Sequence, residues 1–426
     1  SELRELKGQL RRGELRQVLI TGPGGQGKTA LAGKLARDLE SRGYRIFAWA
    51  ARPDNPWRQF RFELELALNQ TLAEKYDRMK SRLESEQAQA ELLLRLLMQQ
   101  TSNHLVLFFD NLESIQNPDT FALEDARVTA WLEAAQAYAQ QGLVTLLTSR
   151  WQLPDWTGTH WPLARLTYAD FLQLIRQMAL QDRFPGDFLR QRERLHRVYR
   201  ALSGNARGLE FFAAALGEMD ATPQEEDAFL ERLEQAKTEV QADMALQALV
   251  DRLPDDVQDL LARLPAYVQP VPVEGILKLA QDLGTQQRAL LERLAAVSLV
   301  EVQSEPAWQV VQYQCAPIVV DWLRKQGMLD EARQWKEMAA DYQRYLYRYE
   351  RRTLSQAVIV HAALRRAGRE EQAGRFALDS IVGPLNRAGF FHTLLEEWLP
   401  EICSLEDRAI RAEALCQTGK QYLHVG

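Results

Sequence analysis

The residues whose types and spacing could do chemistry are concentrated in one stretch. Gly22-Pro23-Gly24-Gly25-Gln26-Gly27-Lys28-Thr29 meets G-x-x-x-x-G-K-[ST] at every fixed position. Glycines let the chain turn tightly and bring bare N–H groups against phosphate oxygens. A helix beginning near Lys28 would aim its positive end at the same anion. Gly22 through Ala30 is read as the phosphate cradle, with Lys28 reaching the β- and γ-phosphates of ATP or ADP and Thr29 binding Mg²⁺. Asp110 closes the apolar run HLVLFFD (104–110) and is the expected partner of Thr29 on the metal. The next residue, Asn111, can hydrogen-bond a water but cannot take its proton. Glu113 is the nearest acid that could serve as a base, but two residues further on it would point elsewhere, and slow hydrolysis is the more economical expectation. Arg150 ends LLTSR (146–150), where one charge-assisted contact to a γ-phosphate would separate triphosphate from diphosphate. The plain alternatives are a turn that opens at Asp110 and a solvated strand-end arginine at 150.

The elements that must hold these residues read as an α/β unit. VLITG (18–22), YRIFAWAA (44–51), LVLFF (105–109) and LVTLLTS (143–149) are largely unalternating apolar runs, as strands covered on both faces should be. Between them lie helix patterns at 28–43, over roughly 57–100 and near 125–141, which supply parallel crossovers. After Trp151 the text turns helical. Helices at roughly 244–253, 255–264, 272–282 and 285–296 precede a hairpin candidate, SLVEVQ (298–303) with VVQYQC (310–315), an order that suits a winged helix. From 329 onward helix pairs follow one another.

The fold class expected is therefore a P-loop α/β domain with a parallel sheet and helices on both faces. An all-α helical domain, a winged-helix domain and an α-helical repeat-like C-terminus would follow. The boundaries expected are 1–155, 156–240, 241–327 and 328–426. Both ends fall in helical text, so the 426 residues are expected to be part of a longer chain. Three cysteines (Cys315, Cys403, Cys416) make neither a disulfide framework nor a metal-site spacing, which suits a cytoplasmic setting. No apolar run approaches the roughly 20 residues of a membrane span. A net charge of -6 argues against binding nucleic acid by bulk electrostatics.

With these pieces in place the chain resembles the STAND class of signalling NTPases, in particular its bacterial NB-ARC/AP-ATPase branch. The resemblance rests on GPGGQGKTALA (22–32), LVLFFDNLE (105–113), LLTSRWQLP (146–154), LSGNARGLEFFAAAL (202–216) and VVQYQCAPIVVDWL (310–323), in that order over roughly 1–326. It implies a signal-transduction switch in which ADP or ATP is held by the NTPase, helical and winged-helix domains. A trigger, protein or other, would bind a C-terminal superhelical array, and the freed domains would self-associate. Gly419-x-x-Tyr422 looks like the start of a tetratricopeptide helix, and SELRELKGQL like the tail of the family's opening motif. Bacterial immunity or stress signalling is the setting the resemblance suggests. Three positions depart from the family: Asn111 where many relatives carry a second acid, Ala206 where a proline is usual, and Ala316 where the winged helix offers a histidine. Two rival readings stay open, a STAND-type transcription regulator whose DNA-binding part lies outside these residues, and an AAA+ or origin-recognition-like turnover ATPase.

One further segment stands out. DYQRYLYRYERR (341–352) interleaves tyrosines with arginines, a composition that could clamp nucleic acid. At helical spacing Tyr342, Tyr345 and Tyr349 share one face and Arg344, Arg348 and Arg352 another, which an amphipathic repeat helix would also show. Direct nucleic-acid binding is not expected.

Overall fold

The computed structural model describes residues 2–52, 57–181, 183–184, 191–217, 223–235, 238–284, 286–305 and 309–425. Ser1, the first residue of the opening motif, lies outside them. The chain divides into two compact units, one of residues 1–21, 28–162 and 340–426, the other of 22–27 and 163–339.

The first unit is built on a five-stranded parallel sheet, order β2-β3-β4-β1-β5. Its strands are β1 (Gln17–Thr21), β2 (Arg45–Ala50), β3 (Leu105–Asp110), β4 (Val144–Ser149) and β5 (Thr159–Pro162). The three central strands are buried nearly end to end, which is why their sequences run apolar without alternation. The edge strands β2 and β5 are largely open to solvent. Because all strands are parallel, Thr21, Asp110 and Ser149 end on the same edge of the sheet.

Six helices accompany the strands: α1 (Glu2–Arg12), α2 (Lys28–Glu40), α3 (Trp57–Leu66), α4 (Gln70–Lys80), α5 (Glu86–Gln100) and α6 (Ala126–Ala137). The long amphipathic stretch expected over 57–100 is thus three helices. Asn69 and Ser85 divide it, each side chain accepting from a backbone N–H of the turn it opens. Trp49, Trp57, Phe60, Phe109 and Trp131 pack edge-on or tilted with ring centroids 4.9–6.3 Å apart, tying α3 and α6 to the sheet.

In the second unit α7 (Tyr168–Leu180), α8 (Arg192–Ala201), α9 (Ala206–Gly217), α10 (Pro223–Gln235) and α11 (Thr238–Val250) form a helical group, with Phe212 stacked on Phe229 at 5.7 Å. There follow α12 (Asp255–Arg263), β6 (Val271–Pro272), α13 (Val273–Leu279), α14 (Gln287–Ala296), β7 (Val300–Glu305), β8 (Val310–Cys315) and α15 (Pro317–Gln326). The three strands make an antiparallel sheet, order β6-β8-β7, so the hairpin expected at 298–315 is present and gains a short third strand.

Helix α16 (Arg333–Tyr349) leads into the last part of the first unit, with α17 (Leu354–Arg366), α18 (Glu370–Ala377), α19 (Gly383–Arg387), α20 (Phe391–Thr393), α21 (Leu399–Cys403) and α22 (Arg408–Val425). Two π-helical turns, Leu378–Val382 and Leu394–Trp398, interrupt them. The second turn presents Glu397 to α3 and α4. Lys80, 2% exposed, lies 2.6 Å from Glu397 and 3.3 Å from Glu65, and Arg61 also bonds Glu397. Asp77 accepts from the backbone N–H groups of His392 and Thr393 at 2.6 and 2.9 Å, capping α20 from a distant part of the chain. Burial would raise the Glu397 carboxyl, but Lys80 and Arg61 outweigh it and hold it down to about 2.

His361 on α17 is buried 3.8 Å from Glu401. Burial pushes its imidazole down from 6.5 to about 4, with Arg365 and Arg58 pushing the same way and Glu401 opposing. The unfolded ring takes a proton below about pH 6.5, and the folded one holds out until about pH 4. Stability is therefore fully present above pH 6.5 and is lost as pH falls toward 4, by up to about 3 kcal/mol at roughly 1.4 kcal/mol per unit. Urea unfolding followed at pH 7 and pH 4.5 checks this, and His361→Gln should flatten the difference.

Candidate nucleotide site

Asp110 at the end of β3 is held by hydroxyls. Its Oδ1 accepts from Thr29 Oγ1 at 2.8 Å and from Thr148 Oγ1. The two residues expected to share Mg²⁺ are thus already in contact, a carboxylate and a hydroxyl of the oxygen type that ion takes. Among the described residues no group of three or more His, Cys, Asp or Glu could hold a metal, so any metal here would rely on this pair.

Asn111 adopts a left-handed conformation (φ 61°), its Nδ2 donates to the Ala51 carbonyl at 3.1 Å, and its backbone N–H donates to Thr148 Oγ1 at 2.9 Å. The Ser114 hydroxyl donates to the same Ala51 carbonyl at 2.6 Å. This bonding fixes the 3₁₀ turn Leu112–Ile115, and the turn carries Glu113 inward.

Glu113 meets two cations. Its Oε1 lies 3.8 Å from Lys28 Nζ and 3.4 Å from Arg150 Nε, and all but about a tenth of its side chain is buried. Burial pushes the Glu113 carboxyl up, against the pull of Lys28 and Arg150. Burial likewise pushes the Lys28 amine down, with Arg150 adding to the effect and Glu113 and Asp110 opposing it. Both partners are therefore shifted toward neutrality: at 3.8 Å their attraction does not offset the loss of water. Among the described residues Glu113 Oε2 and Arg150 Nε have no hydrogen-bond partner. The open Arg150 donor beside the buried Lys28 amine fits an anion richer in acceptors than one carboxylate, and a phosphate is such an anion.

The glycine-rich loop belongs to the second unit, where α9 holds it. Asn205 Nδ2 donates to the Gly24 carbonyl at 2.7 Å, and the Arg207 N–H donates to the Gly25 carbonyl at 3.0 Å. Gly25 has φ +77°, and a Cβ there would lie 2.7 Å from Arg207 Cβ and 2.8 Å from Asn205 Oδ1. Only glycine fits both the conformation and the approach. Arg207 also donates to the Ser298 carbonyl at 2.8 Å, so one side chain next to the loop reaches the turn before β7. Neither Asn205 nor Arg207 was singled out from the sequence. Their stretch was noted for Ala206, and the polar residues on either side of that alanine were the available signal.

Against known proteins, residues 1–153 match the family model of an AAA ATPase domain. The P-loop and Asp110 both lie inside that match. No curated protein sequence matches significantly. Among solved structures, a STAND protein with a tetratricopeptide repeat sensor from Pyrococcus horikoshii is similar over 99% of this chain, with TM-score 0.56 and 14% identity. At that identity the likeness is one of fold. The chain spans 61% of that protein's length. A Drosophila ORC structure bound to DNA (76% of this chain and 84% of that one, 15% identity) and AMPPCP-bound DnaA from Aquifex aeolicus (91% and 92%, 13%) match with TM-scores of 0.32 and 0.28. No helix among the described residues is long and apolar enough to cross a membrane.

Proposed function

We propose that the chain is a nucleotide-operated switch of the STAND type, binding ATP or ADP with Mg²⁺ and hydrolysing ATP slowly. The observation that carries this is the convergence of Lys28 and Arg150 on the single carboxylate of Glu113. Buried Lys28 and half-buried Arg150 sit at the start of the helix that follows the loop motif and at the end of β4, where a nucleotide's terminal phosphates would lie. Thr29 and Asp110 would hold Mg²⁺, which neutralises phosphate charge when bound. Glu113 then acts as a resident counter-ion that phosphate displaces from Lys28 and Arg150. That role leaves no well-placed base, since Asn111 is tied to the Ala51 carbonyl, and slow turnover follows.

Within the second unit, the bonds from Asn205 and Arg207 to the loop carbonyls give α9 a direct stake in the loop's conformation. A loop that reshapes around phosphate would pull on α9 and, through Arg207, on the segment before β7. In this reading residues 241–327 are a winged helix, the C-terminal helices are the root of a trigger-sensing array, and self-association follows opening. The fold likeness to a STAND protein with a repeat sensor supports that reading.

Arg150→Ala tests it. ADP affinity is expected to stay within about twofold, while ATP binding weakens roughly 10- to 100-fold, the worth of one hydrogen bond to a charged group. Calorimetric titration with each nucleotide and Mg²⁺ reads both numbers, and equal losses for the two would remove Arg150 as the γ-phosphate contact. The match to the AAA ATPase domain favours a second reading, a turnover ATPase. Steady hydrolysis faster than about 1 s⁻¹ would select it, that being the low end of ordinary enzyme rates.

A further inference from the structure

We propose that a groove on the C-terminal helices binds single-stranded nucleic acid. The groove, of about 420 Å³, is lined by Arg344, Tyr347 and Arg348 of α16, by Arg352 just beyond it, and by Arg375 and Phe376 of α18. Its one carboxylate, Asp379, is already bonded to Arg375 at 3.1 Å, and Arg375 also reaches Glu413 at 2.6 Å. The other three arginines are exposed and have no carboxylate partner among the described residues.

The tyrosines decide what kind of anion suits it. Helical spacing placed Tyr342, Tyr345 and Tyr349 together on one face of an amphipathic helix, and such a face would be expected to turn inward. Only Tyr342 does so, at 5% exposed; Tyr345 and Tyr349 are 48% and 64% exposed. Their rings lie 5.0 Å apart, and Arg348 sits 5.4 Å over the Tyr349 ring. Two exposed rings, Tyr345 also stacked on Tyr342 at 6.0 Å and Tyr349 under Arg348, thus lie beside the arginine row. Arg344 and Arg348 are one turn apart, about 6 Å along the axis, a step that a flexible phosphodiester strand can follow. Guanidinium groups tracking a backbone beside rings on which bases can stack are the two components of sequence-tolerant single-strand binding. A duplex would offer the rings no free base face, and an acidic peptide would leave the tyrosines without a role. Of the nearby acids, Asp341 is occupied by Arg369 at 2.7 Å; Glu350, like Tyr345 and Tyr349, lies beside the groove rather than in its lining.

Fluorescence anisotropy with fluorescein-labelled dT20 and the full chain, at several salt concentrations between 50 and 200 mM, tests the proposal. Saturable binding that weakens with salt is expected. Replacing the three arginines without a carboxylate partner (Arg344→Gln, Arg348→Gln, Arg352→Gln) should weaken it at least tenfold and make the log–log salt slope shallower by about 2, from roughly 0.7 per phosphate contact. Tyr345→Ala with Tyr349→Ala should weaken binding about tenfold or more with the slope unchanged. All five side chains are exposed, and circular dichroism verifies that the variants remain folded. Absence of dT20 binding, or arginine variants that bind as well as the parent, overturns the proposal. So does displacement of dT20 by poly-L-glutamate as readily as by unlabelled dT20 with no tyrosine effect, which marks an acidic-peptide surface. Tighter binding of a 20-base-pair duplex overturns it too.

Discussion

Lys28→Ala is expected to weaken ATP and ADP binding at least ~100-fold, about 3 kcal/mol, with the fold retained. The amine is 7% exposed, so whatever anion it meets is bound with little competition from water. Its removal also takes away the one cation aimed at phosphates common to both nucleotides, which is why the loss should be shared, unlike that of Arg150→Ala. The fold should tolerate the change because Glu113 keeps Arg150 at 3.4 Å and is already pushed toward its neutral form by burial. Glu113→Gln is the informative companion. If Glu113 is a resident counter-ion, removing its charge leaves Lys28 and Arg150 free for phosphate, and nucleotide affinity should hold or rise. A base at this position would instead leave affinity alone and abolish turnover.

Lys80→Ala is expected to cost about 3–5 kcal/mol of stability, the range for breaking a buried ion pair from one side. It would strand Glu65, fully buried, and Glu397, which Lys80 approaches at 2.6 Å, in a site with little water. Arg61 would still pair with Glu397, so the lower end of the range applies if that arginine takes up both carboxylates. Replacing Lys80 and Glu65 together by Met and Leu should recover much of the loss, since a buried pair is often matched by apolar residues of similar volume. Chemical denaturation of the three proteins measures the difference. Because Glu397 belongs to the π-helical turn Leu394–Trp398, the same change should loosen residues 391–403 from α3 and α4, visible as faster amide exchange in α20 and α21.

How much of this was legible in the sequence depended on whether a local pattern carried the signal. The loop motif was, because its glycines and its Lys-Thr pair are fixed by backbone geometry and phosphate chemistry within eight residues. Strands β1, β3 and β4 were, because burial on both faces forces unbroken apolar text. Strand β5 was not, since Thr159–Pro162 is four residues of an exposed edge with no apolar run. Glu113 was legible as an acid close to Asp110, but its contacts were not: the left-handed turn at Asn111 brings it to 3.8 Å from Lys28 and 3.4 Å from Arg150. Asn205 is 181 residues from the carbonyl it holds, and the polar residues flanking Ala206 do not say which carbonyl that is. The charges at 58, 61, 65 and 80 read like a solvated helix face. Arg58, Arg61 and Lys80 instead meet Glu397 and Glu401, more than 300 positions away, which periodicity cannot register.

The most direct test of the central claim is the nucleotide the protein carries. Denaturing freshly purified protein and identifying the released nucleotide by mass spectrometry should yield close to one adenine nucleotide per chain, ADP for a switch at rest, and none from Lys28→Ala. A parent protein that releases no nucleotide, and then gives no saturable titration with ATP or ADP in the presence of Mg²⁺, would contradict the claim.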